Sequence, residues 1–510
     1  MINDGLIRLQ KGIQELSQMY NYLPFDSDNV LPLLLAHMPD RLLPKMVKAL
    51  VLEMHVARMQ GRLQGETAEQ RFQHFIQQLS QPQNMLQLLE EYVVLARLLV
   101  EAIDMWVDYE LELLTRLCDD WPEIQATLNT PDNLGWLVEV RSGQGDTHRK
   151  GRSVAILVWS SGFHLVYKPR SLAVDAHFQE LLSWLNEHGY QPGFRTIKSV
   201  QKASHGWVEF IAPQSCTSPE QVQRFYERQG GYLALLHALA ATDFHAENII
   251  AAGEYPILID LEALFHPYMR NEIEWQKQAP AVRALDYSVL RIGLLPQRIW
   301  GNDHNEGIDI SGLGGAAGQL TPTPVTRWAD VGTDTMQMRL EHVEVKLGDH
   351  RPTLSDQEVD THAFHSSILT GFRTVYQLLR QHRQELLNKV LPRFANDEIR
   401  CLVRATGYYG ILVSNSFHPD ILRDALDRDR FFDRLWINIE QDAHLARVIP
   451  LEHQDLLRAD IPLFTTRPAS TILSAVTVRL LRISLKKLAW MWLSAIFTLW
   501  MIRTCHNRNG

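Results

Sequence analysis

The sequence predicts an α+β protein, and three observations carry that expectation. Residues 1 to about 120 repeat Leu, Met and Val three and four apart, the spacing of buried helix faces. From Asn133 the texture changes to short β-rich runs broken by glycine turns. A glycine-containing hairpin, Lys168, Asp243, Asn248 and Asp260 then follow one another in the order in which a kinase-type fold uses such residues.

Composition bounds the reading. A chain of 510 residues is too long for one ordinary core, so two or three domains are expected. An apolar fraction of 45% with 21% charged residues describes a globular protein rather than a disordered one. The net charge of −9 argues against a general nucleic-acid surface. Cys118, Cys216, Cys401 and Cys505 are widely scattered and read as reduced thiols of a cytoplasmic protein. The opening MINDGLIRLQKG lacks a signal-peptide pattern.

In the N-terminal region two helical runs are expected, Leu31 to Leu63 and Met85 to Leu117, with a break at Ser80–Asn84. The second run is apolar on more than one side and reads as a central packed helix. Strands are expected at Gly135–Val140, Ser153–Trp159 and Phe163–Lys168. The loop Ser142–Arg152 holds Gly143, Gly145, Asp146, His148 and Gly151. Backbone N–H groups can approach phosphates closely where no Cβ intervenes. An ordinary flexible turn would look the same, and Lys168 shifts the balance. A lysine on the strand after a glycine-rich hairpin is where a kinase-type fold places its phosphate-pairing lysine.

A helix is expected at Asp175–His188. Its Glu180 is a candidate partner for Lys168, and otherwise a surface charge. His205–Ile211 reads as a connecting strand, and Phe225–Ala241 as a helix with His237 in a structural role.

The stretch Thr242–Glu262 concentrates the chemistry. Two apolar runs flank Gly253-Glu254-Tyr255-Pro256 and predict a β-hairpin whose open end brings Asn248 and Asp260 side by side. Asp243 precedes Asn248 by five residues, the spacing of a kinase catalytic loop, in which the aspartate accepts the hydroxyl proton and the asparagine binds metal. Clustered acceptor oxygens suit Mg²⁺. Farther on, SGLGGAAGQLTPTP at 311–324 reads as a mobile, lid-type loop, and Asp356–Leu391 as helix. Arg400, Arg404 and Thr406 lie close together. Two arginines on one helical segment could form a phosphate pocket, since guanidinium forks match phosphate oxygens, and otherwise they are surface charges.

Taken together, GDTHRKGRSVAIL, LVYKPRSLAVDAHFQELLSWLN, GWVEFI, TDFHAENIIAAGEYPILIDLEALFHP, RCLVRATGYYGILVSNSFHPD and DIPLFTTRP resemble the dehydratase portion of class II lanthipeptide (LanM-type) synthetases, over roughly residues 80 to 469. The resemblance implies a lipid- or protein-kinase-like two-lobed core embedded in a largely helical dehydratase domain. It implies phosphorylation of Ser and Thr in a precursor peptide, leader plus core, with ATP and Mg²⁺, followed by elimination to dehydroalanine or dehydrobutyrine. By resemblance Lys168 takes nucleotide phosphate, and Asp146 and His148 belong to the phosphate loop, in which the glycine pattern itself offers Gly151 as a cofactor-binding position. Asp243 is the catalytic aspartate with His245 beside it, and Asn248 and Asp260 are the metal ligands. Arg400 and Thr406 serve elimination. His148 and His245 are both candidates for its base.

The implied organisation is a helical region at 1–130, a kinase-like core at 131–270, a lid and elimination region at 271–469, and a divergent tail at 470–510. The match ends after Arg467-Pro468, and the tail offers only Cys505 and His506 of the two-cysteine, one-histidine zinc set of the family's cyclase domain. No zinc and no cyclase activity are therefore expected, and a separate cyclase is a candidate partner. The longest uncharged run of the tail, Leu488–Ile502, has 15 residues, short of the ~20 that span a bilayer. Preceding basic residues allow membrane-surface association, but a partly ordered tail is the preferred reading. Two alternatives to dehydration stay open: a kinase that phosphorylates without eliminating, and an inactive truncated remnant or peptide-binding module.

Overall fold

The computed structural model describes residues 2–267, 280–299, 307–346, 348–437, 439, 445–470 and 473–475. The divergent tail lies outside the described residues from 476 onward, as does most of the stretch between Pro267 and Pro280. Helices and small sheets are mixed along the chain. Two compact units form, one from Met1–Pro169, Pro324–Glu341 and Arg404–Pro462, the other from the described residues of Arg170–Thr323, His342–Val403 and Leu463–Gly510. Neither is a single stretch of chain. Among the described residues no helix is long and apolar enough to cross a membrane.

The first unit is built around one long helix. Helices α1 (Ile2–Met19), α2 (Val30–Leu35), α3 (Met38–Met59), α4 (Ala68–Leu79) and α5 (Pro82–Glu91) lead into α6 (Val93–Thr127). A capping box starts α4: the Thr67 side chain accepts from the Gln70 N–H and the Gln70 side chain accepts from that of Thr67. The expected central run Met85–Leu117 is broken at Tyr92, so its start belongs to α5 and the rest to α6, on which Trp106, Tyr109, Leu113, Leu117 and Trp121 are buried. An antiparallel meander follows: β1 (Leu137–His148), β2 (Arg152–Trp159) and β3 (His164–Lys168). Tyr109 donates to the Ser153 carbonyl at 2.8 Å, fixing β2 against α6. The hairpin Val325–Ala329/Gln337–Glu341 docks on α3 and α4 through a bidentate pair of Arg71 with the fully buried Asp334.

The expected first strand is too short. Pairing continues through the glycine-rich segment to His148, with register shifts after Arg141 and Gln144, so β1 and β2 form a bulged ribbon. Only Arg149–Gly151 turn, all three at positive φ (52°, 67° and 74°).

In the second unit α7 (Ala173–Glu187), β4 (Ser199–Gln201), β5 (Gly206–Glu209) and α8 (Pro219–Ala238) precede the hairpin β6 (Ile249–Ala252)/β7 (Tyr255–Leu258). Ser218 caps α8 ahead of Pro219, a favoured first helical residue. Helix His365–Gln381 lies against α8 with backbones in contact. A Cβ on Gly230 would fall 1.9 Å from the Ile368 carbonyl oxygen, and one on Gly371 1.7 Å from that of Glu227. The expected lid loop is anchored at its start. Leu313 is buried, its N–H donates to the Leu294 carbonyl at 2.8 Å, and Ser311 bridges to His245.

Candidate functional site

The hairpin forms as its sequence requires, although its turn is tighter than expected: only Gly253 and Glu254 turn, and Tyr255 and Pro256 already belong to β7. Asn248 and Asp260 leave its open end, where the Ile259 N–H donates to the Asn248 carbonyl at 3.0 Å. Asp243 sits on the preceding loop in the left-handed region, φ 70°. Its conformation is held by its neighbours. The Phe244 N–H donates to Ile292 at 2.8 Å and the Ala246 N–H to Ile310 at 2.9 Å. The Asn248 amide nitrogen donates to the Asp243 carbonyl at 2.7 Å, so its oxygen is the atom it can offer a cation.

Two arginines enter this cluster. Arg170 reaches Asp175 at 2.6 Å, Asp260 at 3.0 Å and Glu262 at 3.3 Å. Arg400 donates to Glu262 at 2.8 Å, and its own N–H donates to the Glu262 carbonyl at 2.7 Å. Arg400 lies on a short strand, Ile399–Arg400, paired with Phe464–Thr466. Its flank is fixed by His266, whose Nε2 accepts from the Leu402 N–H at 2.9 Å. Burial, with Arg291 nearby, pushes His266 down to about 3, so the ring is a neutral acceptor near neutral pH.

The electrostatics favour proton uptake at Asp243. Burial raises its pKa, His245 and Arg400 oppose the rise, and Asp260 and Glu262 add to it. Glu262 is raised as well, by burial and by Asp260, against the pull of Arg400 and Arg170. His245 places Nε2 3.8 Å from Asp243, while its Nδ1 accepts from the Glu247 N–H. Asp243, Asn248 and Asp260 thus present carboxylate and amide oxygens, the donors that magnesium takes.

Other expected residues lie elsewhere. Glu180 is half-exposed and its carboxylate pairs with Arg393. In the first unit, Lys168 ends β3 and is buried, Asp146 is exposed on β1, and Gly151 closes the β1–β2 turn. His148 donates from Nδ1 to the Ile461 carbonyl at 2.8 Å. Thr406 opens the helix Thr406–Asn415. The helical two-arginine pocket does not form. Arg400 is on a strand with an 11% exposed side chain, while Arg404 belongs to the other unit, bound to the fully buried Glu452 at 2.8 Å and to the Leu435 carbonyl.

Sequence reasoning left two members of the cluster without a role. Glu262 stands two residues after Asp260, a spacing that puts both on one side of an extended chain. Arg170 carries no local signal, since its partners are 5, 90 and 92 positions away.

The model of a domain of unknown function, DUF4135, matches residues 92–467, a span that contains every residue of the cluster. The chain is 24% identical over 391 residues to the lacticin 481/lactococcin biosynthesis protein LcnDR2 of Lactococcus lactis subsp. lactis. That alignment covers 73% of this chain and 41% of the relative, so the chain spans less than half the length of the curated protein it matches. Both matches agree with the lanthipeptide-modifier resemblance found in the motifs.

Proposed function

The chain belongs to the DUF4135 family, and from that premise we propose that it dehydrates Ser and Thr of a ribosomally made lanthipeptide precursor by ATP-dependent phosphorylation followed by phosphate elimination. The observation that carries the reading is the joining of the catalytic loop to Arg400 through Glu262, which sets a raised-pKa carboxylate and a guanidinium in one charge cluster. Similarity to a lantibiotic biosynthesis protein supports the substrate class.

In this reading Asp243 accepts the hydroxyl proton of the substrate Ser or Thr. Its burial and its acidic neighbours make it more basic than a free aspartate. Asn248 and Asp260 would hold Mg²⁺, which supplies charge neutralisation at the phosphate oxygens. Arg170 keeps Asp260 and Glu262 oriented. Arg400 stabilises the phosphate as it leaves. Removal of the Cα proton falls to a histidine. His245 is the candidate in this unit, and His148 the candidate in the other. Lys168, Asp146 and Thr406 enter the reading from the sequence resemblance, and Gly151 and Glu180 from the glycine loop and the kinase-type order of residues. The precursor peptide as partner, a separate cyclase and a cytoplasmic location belong to the same proposal.

The test is mass spectrometry of a candidate precursor peptide after incubation with the purified chain, ATP and Mg²⁺. Loss of water from Ser or Thr is the expected result. Phosphate gain without water loss would leave a kinase only. An unchanged cognate peptide with folded protein would overturn the proposal.

A further inference from the structure

Among the described residues one group of three His, Cys, Asp or Glu side chains is placed to ligate a metal: His188, His382 and Glu385, whose ligand atoms all lie within 4.8 Å of one another. We propose that these three bind a zinc ion. His188 follows the last turn of α7, and its Nδ1 contacts the Trp184 carbonyl at 2.7 Å. A carbonyl only accepts, so the proton sits on Nδ1 and Nε2 carries the lone pair. A backbone carbonyl that fixes the tautomer in this way is the usual outer support of a zinc-bound histidine. His382 follows helix His365–Gln381, and Glu385 comes three residues later, the spacing that puts two helical side chains on one face.

One distance already suits a small tetrahedral ion, and the others have at most 4.8 Å from which to close. Ligand atoms at ~2.0–2.1 Å from zinc stand about 3.3 Å from each other. His188 Nε2 and the Glu385 carboxylate are already 3.4 Å apart. The rings of His188 and His382 are 4.5 Å apart at 76°, a packing that a plain His–Glu ion pair does not require. Trp184 flanks both, with ring centroids 4.2 Å from His188 and 5.8 Å from His382, and gives the site an apolar wall. Two imidazoles and one carboxylate suit zinc rather than magnesium, which prefers oxygens alone. Three protein ligands leave a fourth position for water. Such an ion would tie the end of α7 to a segment 194 positions away. The start of α7 carries Asp175, the partner of Arg170. No zinc is expected from the sequence, because the two-cysteine, one-histidine set is missing from the tail, whereas this donor set is assembled by the fold.

The test uses the full chain stripped with a chelator, then titrated with Zn²⁺ against a competing chelator of known affinity in excess Mg²⁺. The expected result is one equivalent per chain, with affinity falling at least tenfold in His382→Ala and in Glu385→Gln and unchanged in His365→Ala. Glu385→Gln preserves side-chain shape and guards against simple misfolding, which circular dichroism monitors. Co²⁺ in place of Zn²⁺ should give the intense visible bands of a tetrahedral site, lost in the same variants. Absence of stoichiometric uptake, or uptake that persists in both ligand variants as adventitious binding by others of the 21 histidines, would overturn the proposal.

Discussion

Replacing Arg400 tests the proposed chemistry and the packing of the cluster together. Its guanidinium meets Glu262 at 2.8 Å, with side chains only 11% and 16% exposed. Removing one partner of a buried pair costs about 3–5 kcal/mol, because the charge left behind stays desolvated. Here Arg170 still holds the other Glu262 oxygen at 3.3 Å, so the lower end applies, about 3 kcal/mol. For a unit of this size that is a Tm drop on the order of 6–12 °C. The catalytic effect is separable from that loss. Removing a donor from a developing negative charge costs about 10²–10³ in rate. Arg400→Ala should therefore still phosphorylate the precursor, below its Tm, while phosphopeptide accumulates and dehydrated product nearly vanishes. Arg400→Lys keeps the charge with a poorer fit and should recover part of both stability and elimination. The assay is a mass-spectrometric time course beside a thermal melt. A folded Arg400→Ala protein with the wild-type ratio of dehydrated to phosphorylated peptide would refute the elimination role. An unchanged Tm would refute the buried pair.

Three other outcomes follow from the same physics. Asp243→Asn should abolish phosphorylation while Tm stays equal or rises, because removing this carboxylate relieves its repulsion with Asp260 and Glu262; kinase assay and melt check both. In the first unit, burial pushes Glu110 up to about 7, so the folded state keeps a proton that the unfolded chain releases near 4.5; this contribution, about 3 kcal/mol, is present below pH 4.5 and lost by pH 7, and urea unfolding across that window should show a shallower fall for Glu110→Gln. Gly371→Ala should destabilise by at least ~2 kcal/mol in chemical denaturation, since its Cβ would meet the Glu227 carbonyl at 1.7 Å, whereas Gly410→Ala, with open space around it, should be neutral or stabilising by up to ~1 kcal/mol.

Local pattern made the hairpin, α6, α7 and α8 legible, because turn residues and apolar spacing act within a few positions. The glycine-rich segment misled in one respect. Gly143 and Gly145 look like loop residues, yet β1 passes through them as a bulged strand, since glycine at positive φ absorbs the bulges without breaking the pairing. Arg400 and Arg404 show the other limit. Four positions apart, they would share a helical face, and instead the chain passes from one compact unit to the other between them, giving one a carboxylate of the cluster and the other a structural glutamate. Arg170 and Glu262 went unassigned because their meaning lies in pairs that only tertiary folding makes.

The charge balance of the cluster connects the two proposed half-reactions. Asp175, Asp243, Asp260 and Glu262 face two guanidiniums, Arg170 and Arg400. Four ionised carboxylates against two guanidiniums leave two negative charges, which one divalent cation would offset. Burial raises the pKa of Asp243 and of Glu262, and the neighbouring carboxylates add to the rise, because like charges that share a site resist joint ionisation. In the proposed reaction a divalent cation at Asn248 and Asp260 would oppose the rise and favour the ionised Asp243 that proton transfer needs. The same balance explains why Arg400 is paired with Glu262 rather than exposed. In the proposed reaction a lone guanidinium would compete for the carboxylates that are to hold the cation, whereas one anchored by Glu262 would keep its charge available to the phosphate and leave Asp260 to the cation.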